Sequence, residues 1–133
     1  MSFYMENWKD PLILDESMAP LDAEQIAILA PDNDNEDSML GDLLEVFIAE
    51  SESRLAEIAQ FCQAQDAQAL RVPVHFIAGS AANLGAARIS QLCRQVEVAI
   101  LDDSFDGYSD LPQILQNEYQ VGLSALKEVV RTN

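Results

Sequence analysis

Residues 39–63 read MLGDLLEVFIAESESRLAEIAQFCQ, and the apolar side chains Leu40, Leu43, Leu44, Phe47, Leu55, Ile58 and Cys62 return at separations of three, four or their multiples. That spacing follows the 3.6-residue period of an α-helix and lacks the alternation of a half-buried strand. A long amphipathic helix is therefore predicted here. Its apolar stripe has to be covered by other elements, and stripes of the same period follow downstream.

Asp66 is placed to cap a helix that carries Leu70, Val74, Ile77 and Ala81 towards Leu84-Gly85. Another helix is expected from about residue 86, bearing Ile89, Leu92, Val96 and Ile100. After the polar loop 102–107, Pro112 opens a last one with Leu115, Tyr119, Leu123, Leu126 and Val130. Upstream, Asp22-Ala-Glu-Gln25 has the form of a capping box, and a short helix should run from it through Ala30 to a stop at Pro31. Long helices joined by short loops pack as an antiparallel up-and-down bundle. The expected fold is all-α: a four-helix bundle with a short extra N-terminal helix, built by residues 21–133. Residues 1–20 are read as an extension, with Trp8 and Ile13 as the side chains that would pin it to the bundle. No repeat of one segment in another is visible, which argues against a solenoid. Pro73 breaks the pattern: it lacks an amide proton and clashes with the carbonyl four residues earlier, so a kink or a late helix start is expected there.

The 133 residues suffice for one hydrophobic core, and the low aromatic content (7%) with abundant Ala, Leu and Gln favours helix over sheet. The formal net charge is −16, of which −9 falls in residues 1–40 and −7 in the rest. A field of that sign repels nucleic acid and anionic lipid surfaces and leaves proteins as the expected partners. No apolar run approaches the ~20 residues of a membrane span. The N-terminus lacks the basic opening and unbroken apolar stretch of a secretory signal, so a cytoplasmic location is expected.

Metal and redox chemistry find few parts. Cys62 and Cys93 lie far apart without CxxC or Cys/His spacing and read as buried free thiols. The acidic stretch Pro31-Asp-Asn-Asp-Asn-Glu-Asp-Ser38 resembles a calcium loop only superficially. Counted from Asp32, its sixth position is Asp37 where the loop needs Gly, and its twelfth is Leu43 where it needs Glu. A solvated linker leading into a helix N-terminus is the preferred reading. The Glu-x-x-His of di-iron bundles is absent because Val72 holds the Glu position. There is also no Gly-rich nucleotide loop or Lys-Ser/Thr phosphate motif, so no cofactor and no kinase activity of the chain's own are expected.

What remains is the single histidine. His75 and Gly79 are four residues apart, hence on one helical face and one turn from each other. A glycine there removes a side chain that would shield the imidazole, at a helix cost of ~1 kcal/mol. A neutral imidazole nitrogen is a competent nucleophile near neutral pH.

The segment His75-Phe-Ile-Ala-Gly79-Ser-Ala-Ala-Asn-Leu-Gly85-Ala-Ala-Arg-Ile-Ser-Gln-Leu-Cys93-Arg-Gln-Val-Glu97 resembles the signature of histidine-containing phosphotransfer (HPt) domains. The shared features are a histidine with glycine four residues on, a small-residue run, a Leu-Gly-Ala turn and a Cys-x-x-Leu-Glu-like second helix, and the helix layout from about residue 21 onward fits as well. The resemblance implies a phosphorelay carrier. His75 would exchange a phosphoryl group with the aspartate of a response-regulator receiver domain, whose own Mg²⁺ supplies the metal chemistry, and a hybrid sensor histidine kinase is a further candidate partner. It also aligns Glu97 with the residue that faces the second ring nitrogen, where a carboxylate would orient the ring; an ordinary exposed helix acid is the competing view.

The chain departs from the family three residues after the histidine, where the usual lysine is replaced by Ala78. Arg71, one turn before His75, and Arg94, one turn before Glu97, are the candidates to supply a phosphate contact in its place, unless they are ordinary surface arginines. The alternative to an active carrier is a degenerate HPt-like adaptor that binds a receiver or kinase without carrying phosphate. A purely structural bundle is a third reading, although neither rival requires His75, Gly79 and Glu97 together. Because the chain stops soon after its last predicted helix, a stand-alone carrier is expected rather than part of a hybrid kinase.

Overall fold

The computed structural model describes residues 17–30 and 39–132, and the described residues form five helices and no strand. In chain order these are α1 (Ala23–Leu29), α2 (Met39–Ala64), α3 (Ala67–Leu84), α4 (Ala87–Leu101) and α5 (Leu111–Thr132). The expectations for Trp8, Ile13 and the acidic linker 31–38 lie outside the described residues.

The periodic apolar residues do become the core. In α2 the buried face is Leu40, Leu44, Phe47, Ser51, Ile58 and Cys62. Leu43, which the spacing assigns to the same stripe, stands exposed at its edge. Leu70, Val74, Ile77 and Ala81 of α3 meet Ile89, Leu92, Val96 and Ile100 of α4 and Leu115, Tyr119, Leu123 and Leu126 of α5 in one cluster.

Each long helix packs against its neighbour in the chain, and α5 closes the ring by packing back on α2. The turns between α2 and α3 and between α3 and α4 are two residues each, which leaves antiparallel packing as the available arrangement. At the end of α3, Gly85 takes the left-handed conformation at φ 85°, and the Ala86 amide bonds back to the Ala81 carbonyl at 2.8 Å. A Cβ on Gly85 would also sit 2.9 Å from Ile26 Cδ1 of α1, so a side chain there would have to push that methyl aside on top of the strain of the left-handed backbone. The end of α2 closes in the same way, with the Asp66 amide on the Phe61 carbonyl, but Gln65 holds the left-handed position at φ 55°.

Two sequence expectations are corrected. Asp22 caps α1 through bonds from the Glu24 and Gln25 amides, yet Gln25 does not reach back to complete a capping box. Its Nε2 donates instead to the Asn83 carbonyl at 2.7 Å, and the Asp22 amide donates to the Gly85 carbonyl. The tertiary contact with the α3–α4 turn takes the groups that a local cap would have used. Of the two outcomes expected at Pro73, a kink or a late start, the late start does not occur: α3 starts at Ala67 behind the Asp66 cap and continues through the proline. Leu70, Pro73, Val74 and Ile77 are all buried. Burial of Leu, Val and Ile at about 1.5–3 kcal/mol each outweighs the roughly 3 kcal/mol a helical proline costs.

Polar groups inside the bundle are paired, and no buried side-chain nitrogen or oxygen among the described residues lacks a partner. Ser51 and Tyr119 share a hydrogen bond of 2.7 Å between α2 and α5. The Ser90 hydroxyl donates to the Ala78 carbonyl between α4 and α3. Arg88 on α4 donates twice to the Glu118 carboxylate on α5 and once to the Met18 carbonyl, which fastens the chain before α1 onto the bundle.

The two left-handed turn positions give opposite expectations. Gly85→Ala should destabilise the fold by about 1–2 kcal/mol, whereas Gln65→Gly should stabilise it by about 0.5–1 kcal/mol. Urea denaturation of both variants against the parent measures the shifts in midpoint.

Candidate functional site

His75 lies on the outer side of α3, between the buried pairs Pro73–Val74 and Ile77–Ala78. Its side chain is 68% exposed, while Glu97, reaching over from α4, is only 12% exposed. The two meet through His75 Nδ1 and Glu97 Oε2 at 2.8 Å. An ionised carboxylate can only accept, so in this bond the Nδ1–H donates, and in the neutral ring that puts the free lone pair on Nε2. This is the tautomer that a nucleophile working through Nε2 requires.

The helix pair sets that distance. Ala78 and Ala81 are fully buried small residues on α3, and the Ser90–Ala78 bond ties α4 to the same stretch. The position that the HPt family fills with lysine is thus, in this chain, an alanine inside the core. Its side chain brings no charge to the site.

The two candidate arginines part company. Arg71 Nε stands 3.7 Å from Glu97 Oε2, the same oxygen that His75 uses. Arg94 is exposed and forms neither an ion pair nor a hydrogen bond among the described residues. Gly79 sits one turn after His75, and a Cβ built on it meets nothing within 4 Å. No internal packing asks for glycine at this place.

Sequence reasoning missed three features around the imidazole. Arg54 of α2 lies over the Phe76 ring at 4.5 Å and pairs with Glu57 at 3.1 Å, securing the residue next to His75. Which residue of α2 would face Phe76 depends on the helix pairing and left no signal in the chain. Val72 (61% exposed) precedes His75 by one turn, and Leu101 (61%) follows Glu97 by one turn on α4. These are exposed apolar side chains close in the helix to both site residues, and counting their helical offsets from His75 and Glu97 would have found them.

Neither cysteine offers reactive chemistry. Burial pushes the Cys62 thiol up to about 11. Burial, reinforced by the Glu97 carboxylate and partly offset by Arg94, pushes Cys93 up to about 12. Both remain protonated near neutral pH. Among the described residues no three His, Cys, Asp or Glu side chains form a group suited to hold a metal ion, and no helix is long and apolar enough to cross a membrane.

Comparison with known proteins agrees with this geometry. The profile of the Hpt domain family matches residues 42–130, a span that contains His75, Gly79 and Glu97. Among solved structures, the chain is similar to that of histidine-containing phosphotransfer protein B (HptB) from Pseudomonas aeruginosa PAO1. The TM-score is 0.72 at 27% sequence identity, and the match covers 86% of this chain and 96% of that one. No curated protein sequence matches the chain. With two thirds of its length matched by the family profile, and with a helical bundle that superposes on a histidine phosphotransfer protein, the chain belongs to the Hpt domain family, the phosphorelay carriers of two-component signalling.

Proposed function

We propose that His75 is the phosphoryl acceptor of this carrier and that its exchange partner is the phosphorylated aspartate of a receiver domain. The observation that carries the reading is the exposed imidazole whose Nδ1 is held 2.8 Å from a largely withdrawn carboxylate. The Nε2 lone pair attacks the phosphorus of the aspartyl phosphate. An N–P bond forms, the P–O bond to the aspartate breaks, and the aspartate leaves as a carboxylate. The Nδ1 proton stays in place, so the ring gains positive charge, and Glu97 stabilises that charge as an acid does for a catalytic histidine. In the reverse direction the N–P bond breaks, its electron pair returns to Nε2, and the ring leaves as a neutral imidazole that keeps its Nδ1 proton.

The bundle supplies position and access, and the receiver supplies its own aspartate and Mg²⁺. This chain has no cofactor and no kinase activity of its own, and it meets its receiver in the cytoplasm. A hybrid sensor histidine kinase is a second partner, through its receiver. Arg94 is the cation this side of the interface can offer to phosphoryl oxygens, because Ala78 offers none and Arg71 is paired with Glu97. The exposed Val72 and Leu101 give the approaching domain apolar surface beside the reacting atoms.

Incubation with a phosphorylated receiver domain tests the reading directly. The wild-type chain should take up label and His75→Gln should take up none. The buried alanine at position 78 favours one rival, the adaptor that binds without carrying phosphate. A wild-type chain that binds the phosphorylated receiver and stays unlabelled would establish that rival.

Gly79 separates access from stability. Since a methyl group at this position meets no neighbour, Gly79→Ala should raise the stability of the fold by about 0.5–1 kcal/mol through helix propensity. The same methyl stands one turn from the imidazole and should slow transfer from the receiver. Denaturation and labelling measured on one preparation check both signs.

A further inference from the structure

We infer that Arg71 is a positioning residue for His75, acting through Glu97 rather than by gripping the phosphoryl group. The inference rests on His75 as acceptor and assigns a role to a residue one turn before it.

His75 Nδ1 and Arg71 Nε address one and the same oxygen, Glu97 Oε2, at 2.8 and 3.7 Å. That oxygen lies on the Nδ1 side of the ring. The phosphoryl group would be carried on Nε2, on the other side. The ion pair that Arg71 makes is thus with the orienting carboxylate.

The carboxylate has reason to need a cation. Glu97 is only 12% exposed, and an imidazole that is to attack through Nε2 has to be neutral, so its N–H balances none of the carboxylate's charge. Other charged groups nearby are committed or remote. Arg54 of α2 is engaged with Glu57 and the Phe76 ring, Arg94 of α4 contacts no acid among the described residues, and Cys93 beneath is a protonated thiol. Arg71 and His75 also sit on the same turn-to-turn face of α3. A guanidinium fixed to that helix therefore holds a side chain from α4 in register with the imidazole it must orient. At 44% exposure Arg71 is free enough to do this without being part of the core.

Two measurements on the full-length chain test it. Nitrogen-15 NMR of the His75 ring should show the Nδ1–H tautomer in wild type, a mixture with Nε2–H in Arg71→Ala, and recovery of the Nδ1–H form in Arg71→Lys. Transfer rates from a phosphorylated receiver should fall about two- to fivefold in Arg71→Ala and about tenfold or more in Glu97→Ala. The double variant should be no slower than Glu97→Ala alone. If the two losses multiply, Arg71 contacts the phosphoryl group itself and the inference is overturned. An Arg71→Ala ring that keeps a single Nδ1–H tautomer overturns it as well. A wild-type chain that takes no label at all would defeat His75 as acceptor, and the tautomer measurement alone would then decide the role of Arg71.

Discussion

A histidine and a glutamate 22 positions apart can share a hydrogen bond here because α3 and α4 form an antiparallel hairpin about a two-residue turn. The midpoint between His75 and Glu97 in the chain is Ala86, which lies in that turn, so the two side chains stand at the same height on facing helices. Every other property of the site depends on this register. If α4 slid by one helical turn, about 5.4 Å, the carboxylate would be out of reach.

The register is held from several directions. Gly85 sets the turn in a conformation that side-chain-bearing residues avoid, and Ile26 of α1 packs where its Cβ would be. Ala78 and Ala81 let the helices approach, and the Ser90 hydroxyl bonds across them to the Ala78 carbonyl. Arg88, just past the turn, is clamped to Glu118 of α5 and to the chain before α1. These contacts hold the turn and the α3–α4 interface, and they leave His75 on the outer side of α3 exposed. Gly79 belongs to that open side, where its lack of a side chain answers to no neighbour within the molecule.

The site works with little charge of its own. In a chain of net charge −16, His75 sits beside one carboxylate and one arginine, with exposed valine and leucine nearby. Such a surface suits docking of another protein, because apolar contacts and few charges favour a protein–protein interface. Oriented imidazole and free approach are what the carrier has to contribute.

Helix periodicity, the Asp66 cap, the Gly85 stop and the nucleophilic candidate could all be read from residue order, because each is decided within a few positions of the chain. Glu97 could be read through family resemblance, since its motif is also contiguous. What depended on the partner of a helix face could not be read. Periodicity shows that a face is apolar without showing what covers it, so the burial of Ala78, the continuity of α3 through Pro73 and the stacking of Arg54 on Phe76 were decided in the tertiary structure. Gln25 illustrates the same limit at short range, its side chain leaving the local cap for the Asn83 carbonyl 58 positions away. The choice between Arg71 and Arg94 is the last case. Both lie one turn from a site residue in sequence, and only the packing of α3 on α4 brings one of them to the carboxylate, because a helical offset fixes direction on one helix and leaves distance across two helices to their packing.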